Sequence, residues 1–298
     1  MKVTTWNVNG VRAREGQVLE WIQREQPELV CLQEIKASPS DIPERLCALE
    51  NYWCFWHGNK GYSGVGINLR KDAWPEEPRF FHPAFDAENR IVAVRLGALL
   101  VASIYVPNGN KDFPAKMRFL EGMVEFVRAE LGAGSTLLLC GDLNVALEER
   151  DVHPLLRKPE QIGQRPEERE LIRAMLASGL EDLLRRFHPD DERLFTWWAP
   201  WRNFRQRNYG WRLDYVLSSA PLTSAAKSCV SFREFGTSDH GPVQAEFDVS
   251  LASFAGGGIV REDLQHEGRP AMIAAAAPKQ YSLDLLGDAK SPTNDSAS

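Results

Sequence analysis

The sequence predicts a layered protein of the α/β or α+β class, with two stacked, largely buried sheets and helices packed outside them. Two observations carry this expectation. Eight strand-length apolar stretches recur along the chain, and several show almost no polar alternation, as strands covered on both faces do. Helical spacing of apolar residues appears only in the gaps between those stretches.

In chain order, KVTTW at 2–6 reads as the first strand and gives way to the turn-forming NVNG. Segment 11–25 places Val11, Val18, Trp21 and Ile22 near one helical face. ELVCLQ at 28–33 and GVGINL at 64–69 are the next strands. The glycines of GYSGVGI at 61–67 flank a strand rather than open a helix, so they mark a bulge or hairpin. RIVAVRL at 90–96 and LLVASIYV at 99–106 are strands joined by a hairpin-length loop. Segment 115–131 aligns Met117, Leu120, Val124, Val127 and Leu131 as a helix, and STLLLCG at 135–141 follows as a strand. A third helix at 167–177 spaces Leu171, Ile172, Met175 and Leu176. LDYVLSS at 213–219 and VQAEFDV at 243–249 complete the strands, each bounded by Gly, Pro, Asn or Asp, with no repeat of fixed period.

The 298 residues suit one domain plus a tail. After about residue 252 the composition turns to Gly, Ala and scattered charge, which cannot bury a core, so the expected division is a body at 1–252 and a flexible tail at 253–298. No run approaches the length of a membrane span and the N-terminus lacks the pattern of a secretory signal, so the expectation is a cytoplasmic protein without membrane contact. Five cysteines at irregular spacing, with no CxxC pair, indicate neither a disulfide framework nor a zinc site. The net charge is −6, of which −4 belongs to residues 1–252, so the body is not a uniformly basic coat for nucleic acid.

Polar residues stand directly after buried strands, where a rigid scaffold presents side chains to solvent. Asn7 and Asn9 follow the first strand, Gln33 and Glu34 the second, Tyr105 and Asn108 the fifth, and Asp142 and Asn144 the sixth. Asp214 opens the seventh, and Ser238, Asp239 and His240 precede the eighth. Taken singly, each is ordinary turn chemistry or a helix cap. Their joint placement, always oxygen- or imidazole-bearing and always at a strand end, points to one functional site. Carboxylates and amides without cysteine suit a hard cation, Mg²⁺ or in its place Mn²⁺. There is no GxxxxGK[ST] loop, no GxGxxG after a strand and no GxSxG elbow, which leaves metal-assisted attack of water on a phosphate ester.

These motifs resemble the exonuclease III type of apurinic/apyrimidinic endonuclease, within the endonuclease/exonuclease/phosphatase superfamily. The matching stretches are WNVNGVRAR (6–14), LQEIKA (32–37), GYSGVGI (61–67), YVPNG (105–109), CGDLNVA (140–146), GWRLDYVL (210–217) and TSDHGPV (237–243), colinear over about residues 1–248. The resemblance implies a four-layer α/β sandwich of two mixed β-sheets packed face to face. It implies Glu34 as principal Mg²⁺ ligand with Asn7 and Asp239 near the metal, and Asp214 orienting His240 at the scissile phosphate. It further implies Asp142 aligning or deprotonating the attacking water, and Asn144, Tyr105 and Asn108 holding phosphate oxygens. Some relatives carry a carboxylate where Asn9 stands, which weighs against a second metal site using that position.

Segment 193–213 makes an independent case for nucleic acid. Arg193, Arg202, Arg205, Arg207 and Arg212 occur there with no acid, interleaved with Phe195, Trp197, Trp198, Trp201, Phe204, Tyr209 and Trp211. Trp198 reads as core. By resemblance, Trp197, Trp211 and Leu213 wall a pocket for a flipped-out deoxyribose without its base, while Lys111, Asn208 and Arg212 contact the DNA backbone. The expected substrate is double-stranded DNA with abasic sites or 3′ ends, cleaved 5′ to the lesion, with 3′-phosphodiesterase and 3′-to-5′ exonuclease action at the same centre. The alternatives are a non-DNA phosphodiesterase of the superfamily, which needs no Arg/Trp segment, and a lesion-binding protein without catalysis, which needs no complete acid and imidazole set. In the tail, QYSLDLL at 280–286 resembles a sliding-clamp docking peptide through Gln280, Leu283 and Leu285, with Tyr281 and Asp284 departing from the commoner Leu and Pro; a short tail helix or docked strand is the other reading.

Overall fold

The structure, a computed structural model, describes residues 1–256, so the segment at 280–286 with Gln280, Leu283 and Leu285 lies outside the described residues. Two six-stranded mixed sheets form the centre. The elements in order are β1 (Lys2–Asn7), α1 (Val11–Glu25), β2 (Leu29–Gln33), α2 (Glu44–Cys47), β3 (Tyr52–Asn59), β4 (Tyr62–Arg70), β5 (Phe80–Phe81), β6 (Ile91–Leu96), β7 (Leu99–Tyr105) and α3 (Phe113–Gly132). They continue with β8 (Thr136–Asp142), α4 (Pro166–Ala177), β9 (Leu180–Asp182), α5 (Leu183–Phe187), α6 (Phe204–Arg207), β10 (Asp214–Ser219), α7 (Ala220–Ala225), β11 (Ala226–Ser231) and β12 (Val243–Phe247).

The first sheet runs β11-β12-β1-β2-β4-β3 and the second β5-β6-β7-β8-β10-β9. Within each, one central pair is parallel, β1 with β2 and β7 with β8, and the remaining pairs are antiparallel. A parallel pair needs a crossover, and the two long helices with apolar stripes supply it: α1 joins β1 to β2, and α3 joins β7 to β8. The layers follow from the cores. One apolar cluster, including Val3, Cys31, Ile67, Val101, Cys140 and Val216, lies between the sheets. A second packs α3 and α4 on the outer face of the second sheet through Leu120, Val124, Val127, Ile172 and Met175. A third packs α1 on the first sheet through Val11, Val18 and Ile22. This is the four-layer sandwich the resemblance implied.

All eight expected strands and all three helices are present. Four strands were not legible in advance. β5 and β9 have only two and three residues, too short for any period to register. β11, AKSCVS, is a polar edge strand, and β3, YWCFWHGN, is an aromatic edge strand whose Trp53 and Phe55, on the face toward the inter-sheet core, are only partly buried. β3 and β4 form the hairpin marked by the glycines, with a register irregularity between His57 and Asn59.

Among the described residues, no helix is long and apolar enough to cross a membrane.

Candidate active site

The topology brings the expected residues to one end of both sheets. The parallel strands β1, β2, β7 and β8 end there in Asn7, Gln33, Tyr105 and Asp142. The antiparallel strands β10 and β12 begin there, so Asp214 is in register with Asp142, and Tyr105 with Asp142 on the other side. His240 lies in the turn before β12. Gly141 permits the close approach at the end of β8: its φ is +154° and a Cβ there would sit 1.9 Å from the Ile104 carbonyl oxygen.

The loops leaving these strands hold several side chains in left-handed backbone conformations, at Asn9 (φ 46°), Glu34 (φ 48°), Lys36 (φ 51°) and Asn144 (φ 51°). Such positions cost about 1–3 kcal/mol each for non-glycine residues and persist where surrounding contacts fix them. Here Gly10 N–H donates to the Glu34 carbonyl, Val11 N–H to Ile35, and Ile35 N–H to Gly64, which ties the Glu34 loop to its neighbours.

Asp214 Oδ2 lies 2.8 Å from His240 Nδ1, and His240 Nε2 lies 3.8 Å from Asp142 Oδ2. Asn7 Nδ2 bridges the two sheets, donating to Asp142 Oδ2 at 2.9 Å and to Glu34 Oε1 at 3.0 Å. Asn144 donates its backbone N–H to Asp142 Oδ1 at 2.9 Å and its side-chain amide to the Val106 carbonyl. Lys36 pairs with Glu34 at 2.7 Å. Thr196 Oγ1 accepts from the backbone N–H groups of Leu213 and Asp214, and Ser238 Oγ donates to the Asn7 carbonyl. Thr196 carried no sequence signal, whereas Lys36 sits inside the LQEIKA stretch and could have been read from it.

Three acids converge on His240, and that sets the electrostatics. Burial pushes its pKa down, but Asp214, Asp142 and Asp239 more than offset this and leave it at about 10, so the imidazole is cationic at neutral pH. Asp142 is raised to about 7 by burial and by the charges of Asp214 and Glu34, against the opposing pull of His240. Glu34 is held below its usual range despite its burial, by hydrogen bonds from Asn7 and Lys36. Burial and the nearby Glu34 and Asp142 charges raise the Tyr105 phenol, which stays protonated as a donor.

Ligand atoms of Glu34, Asp142 and His240 all lie within 4.8 Å of one another. With the imidazole held by Asp214, the two carboxylates are the oxygens of this trio that could take a divalent cation, a hard donor set of the kind Mg²⁺ or Mn²⁺ accepts. Asp239 stands apart from the trio, its carboxylate accepting from Asn9 Nδ2 at 2.8 Å and Trp197 Nε1 at 3.0 Å.

Trp197 and Trp211 pair through their backbones and meet edge to face, with ring centroids 5.8 Å apart. Trp211 and Leu213 belong to a small apolar cluster with Ala146 and Val152, against which Trp197 and Leu156 pack. Asn108 and Lys111 are exposed, with the Lys111 ammonium 5.6 Å from the Tyr62 ring centroid. Two expected DNA contacts are corrected. Arg212 is fully buried, paired through two nitrogens with Asp151 and through a third with Asp182, so it faces the interior and not a phosphate. Asn208 is 7% exposed, its amide accepting from Trp198 Nε1 and donating to the Arg193 carbonyl, so both ends of it are engaged within the protein.

A two-sheet sandwich with carboxylates, amides and a charged imidazole at one end of its strands is the framework of a phosphoester hydrolase. The profile of the Endonuclease/Exonuclease/phosphatase family matches residues 4–240, and the chain belongs to that family. Within it, the chain is a nuclease of the AP endonuclease and exonuclease kind. It is 33% identical over 254 residues to the DNA repair nuclease APEX1 of Danio rerio, covering 82% of this chain and 81% of that one. It is 30% identical over 256 residues to the exodeoxyribonuclease of Bacillus subtilis, covering 84% of this chain and all of the relative. Among solved structures, the Neisseria 3′ phosphatase NExo bound to a product DNA hairpin is 32% identical with a TM-score of 0.76, covering 84% of this chain and 100% of that one.

Proposed function

We propose that this protein is a Mg²⁺-dependent base-excision-repair nuclease that cleaves the DNA backbone 5′ to abasic sites and leaves a 3′-hydroxyl. Removal of 3′-blocking groups and 3′-to-5′ exonuclease action use the same centre. The observation that carries this reading is His240, hydrogen-bonded to Asp214 and facing Asp142 beside the Trp197, Trp211 and Leu213 cluster.

Glu34 would hold the metal as its principal ligand, with Asn7 at its edge, and the bound cation would supply positive charge to the reacting phosphate. His240 donates from Nε2 to a non-bridging phosphate oxygen, and its charge stabilises the pentacovalent dianion. Asp142, whose carboxyl burial and the charges of Asp214 and Glu34 push up, aligns the attacking water and takes its proton. The amides of Asn144 and Asn108 and the Tyr105 hydroxyl orient the remaining oxygens. A deoxyribose without its base enters the apolar pocket while an intact nucleotide is too large, so extrusion of the sugar selects the damage.

Matched duplexes, one with a single abasic analogue and one intact, assayed with Mg²⁺ and with EDTA, test the reading. Internal scission at the lesion position, found only in the abasic duplex and only with Mg²⁺, supports it, and equal internal scission of both overturns it; loss of nucleotides from the 3′ ends reports the exonuclease action separately. The protein works as a cytoplasmic, nucleoid-associated monomer. Its nuclease body spans residues 1–252, and its tail docks on a sliding clamp through Gln280, Leu283 and Leu285, holding the nuclease on DNA by effective concentration. Truncation after residue 252 then preserves cleavage of a short abasic duplex and abolishes clamp capture in a pull-down.

A further inference from the structure

Beneath the phosphate-binding side of the site lies an ion pair that the reaction does not use. Lys116 on α3 and Glu168 on α4 are both wholly buried, with Nζ and Oε1 2.5 Å apart. Lys116 Nζ also donates to the Asn144 carbonyl at 2.8 Å and to the Asn108 carbonyl at 3.4 Å. Glu168 accepts from the backbone N–H groups of Gly163, at 2.7 Å and 3.0 Å, and of Arg165 at 3.1 Å. Gly163 in turn accepts from Ala146 N–H and abuts the Trp211 indole so closely that a Cβ would approach it to 2.9 Å.

One buried pair thus ties together three separate loops: that of Asn108, that of Asn144, and the one that backs Trp211. Taking two charges out of water is expensive, and such a pair is weak evidence for stability because apolar or neutral replacements often fold as well. Its contacts are with backbone groups of site loops, which is where a positioning device would spend that cost.

We propose that Lys116 and Glu168 are positioning residues that set Asn108, Asn144 and the Trp211 wall relative to the scissile phosphate. This rests on the abasic-nuclease reading above. The variant Lys116→Met/Glu168→Gln removes both charges yet keeps an acceptor for the Gly163 and Arg165 N–H groups. The expected result is a melting temperature within a few degrees of wild type, an unchanged Mg²⁺ titration midpoint, and a kcat on abasic duplex at least tenfold lower. If the double variant does not fold, Lys116→Gln/Glu168→Gln, which removes both charges and keeps hydrogen-bonding groups at both positions, is assayed and should show a kcat loss in the same direction. Turnover within threefold of wild type in a folded variant overturns the positioning role. Failure of the wild-type protein to cleave abasic duplex overturns the functional reading instead, so the two failures are told apart by the wild-type control.

Discussion

At the scale of single residues, the proposed chemistry centres on His240, whose charge Asp214, Asp142 and Asp239 all favour. Asp214 Oδ1 is buried without a hydrogen-bond partner, so Asp214 acts through the Oδ2 contact to His240 and the two form one unit. Asp214→Asn and His240→Ala should each lower kcat by roughly 10²–10⁴-fold. The double variant should fall little further, since residues that act together are not additive; multiplied losses in single-turnover assays would separate them. The charge also leaves a mark on stability. A histidine whose folded pKa is about 10 contributes stability that is complete below its unfolded value near 6.5 and is lost as pH rises through 10. Metal-free wild type should therefore lose thermal stability between pH 6.5 and 10 more steeply than His240→Asn, measured by calorimetry; parallel curves would mean that the folded imidazole is not held charged. The positions of Asn7, Glu34, Asp142 and His240 were readable because each sits beside a run whose apolar content fixes it as a strand. Those of Arg212 and Asn208 were not. Composition placed them in a basic, aromatic segment, but only the fold sets Asp151 and Asp182 around Arg212 and the Trp198 indole against Asn208.

At the scale of elements, the irregular segment between α5 and β10 supplies both the wall of the proposed pocket and the support of Asp214. Thr196 accepts from the backbone of Leu213 and Asp214, and Trp197 pairs with Trp211 on one side and His240 on the other. No periodicity marks such a segment, which is why sequence patterning located strands and helices here but not the pairings that shape the pocket. Resemblance, not periodicity, pointed to the pocket residues. Trp211→Ala should lower the ratio of kcat/KM for abasic over intact duplex, while leaving Asp214 and His240 able to turn over the smaller substrate. Truncating a buried indole should also cost about 3–5 kcal/mol of stability, so the ratio is read well below the melting transition. A preserved ratio with a uniformly lower rate would move the pocket elsewhere.

At the scale of the whole molecule, a chain of net charge −6 must bind a polyanion through local placement of its cations. The structure divides the arginines of 193–213 into two kinds. Arg212 is sealed among acids. Arg205 donates to the carbonyls of Arg233, Phe235 and Ser238 and stacks 5.2 Å from the Trp198 ring, so it braces the segment before His240. Arg193, Arg202 and Arg207 are exposed, and Arg207 lies 4.2 Å from the Tyr209 ring, which itself stacks on His153 at 3.9 Å. His153 donates its backbone N–H to the Gly210 carbonyl, next to Trp211, so this basic edge continues from the pocket wall. Each phosphate contact contributes a slope of roughly −0.9 to the dependence of log affinity on log salt for duplex DNA. Arg193→Ala/Arg207→Ala should therefore flatten that slope by about 1.8 on an abasic duplex, with kcat at saturating DNA unchanged. Arg205→Ala should do the reverse, leaving the slope nearly as it was and lowering kcat through the loosened His240 segment. Should both variants shift the slope equally, the division of these arginines into surface contacts and internal braces is wrong.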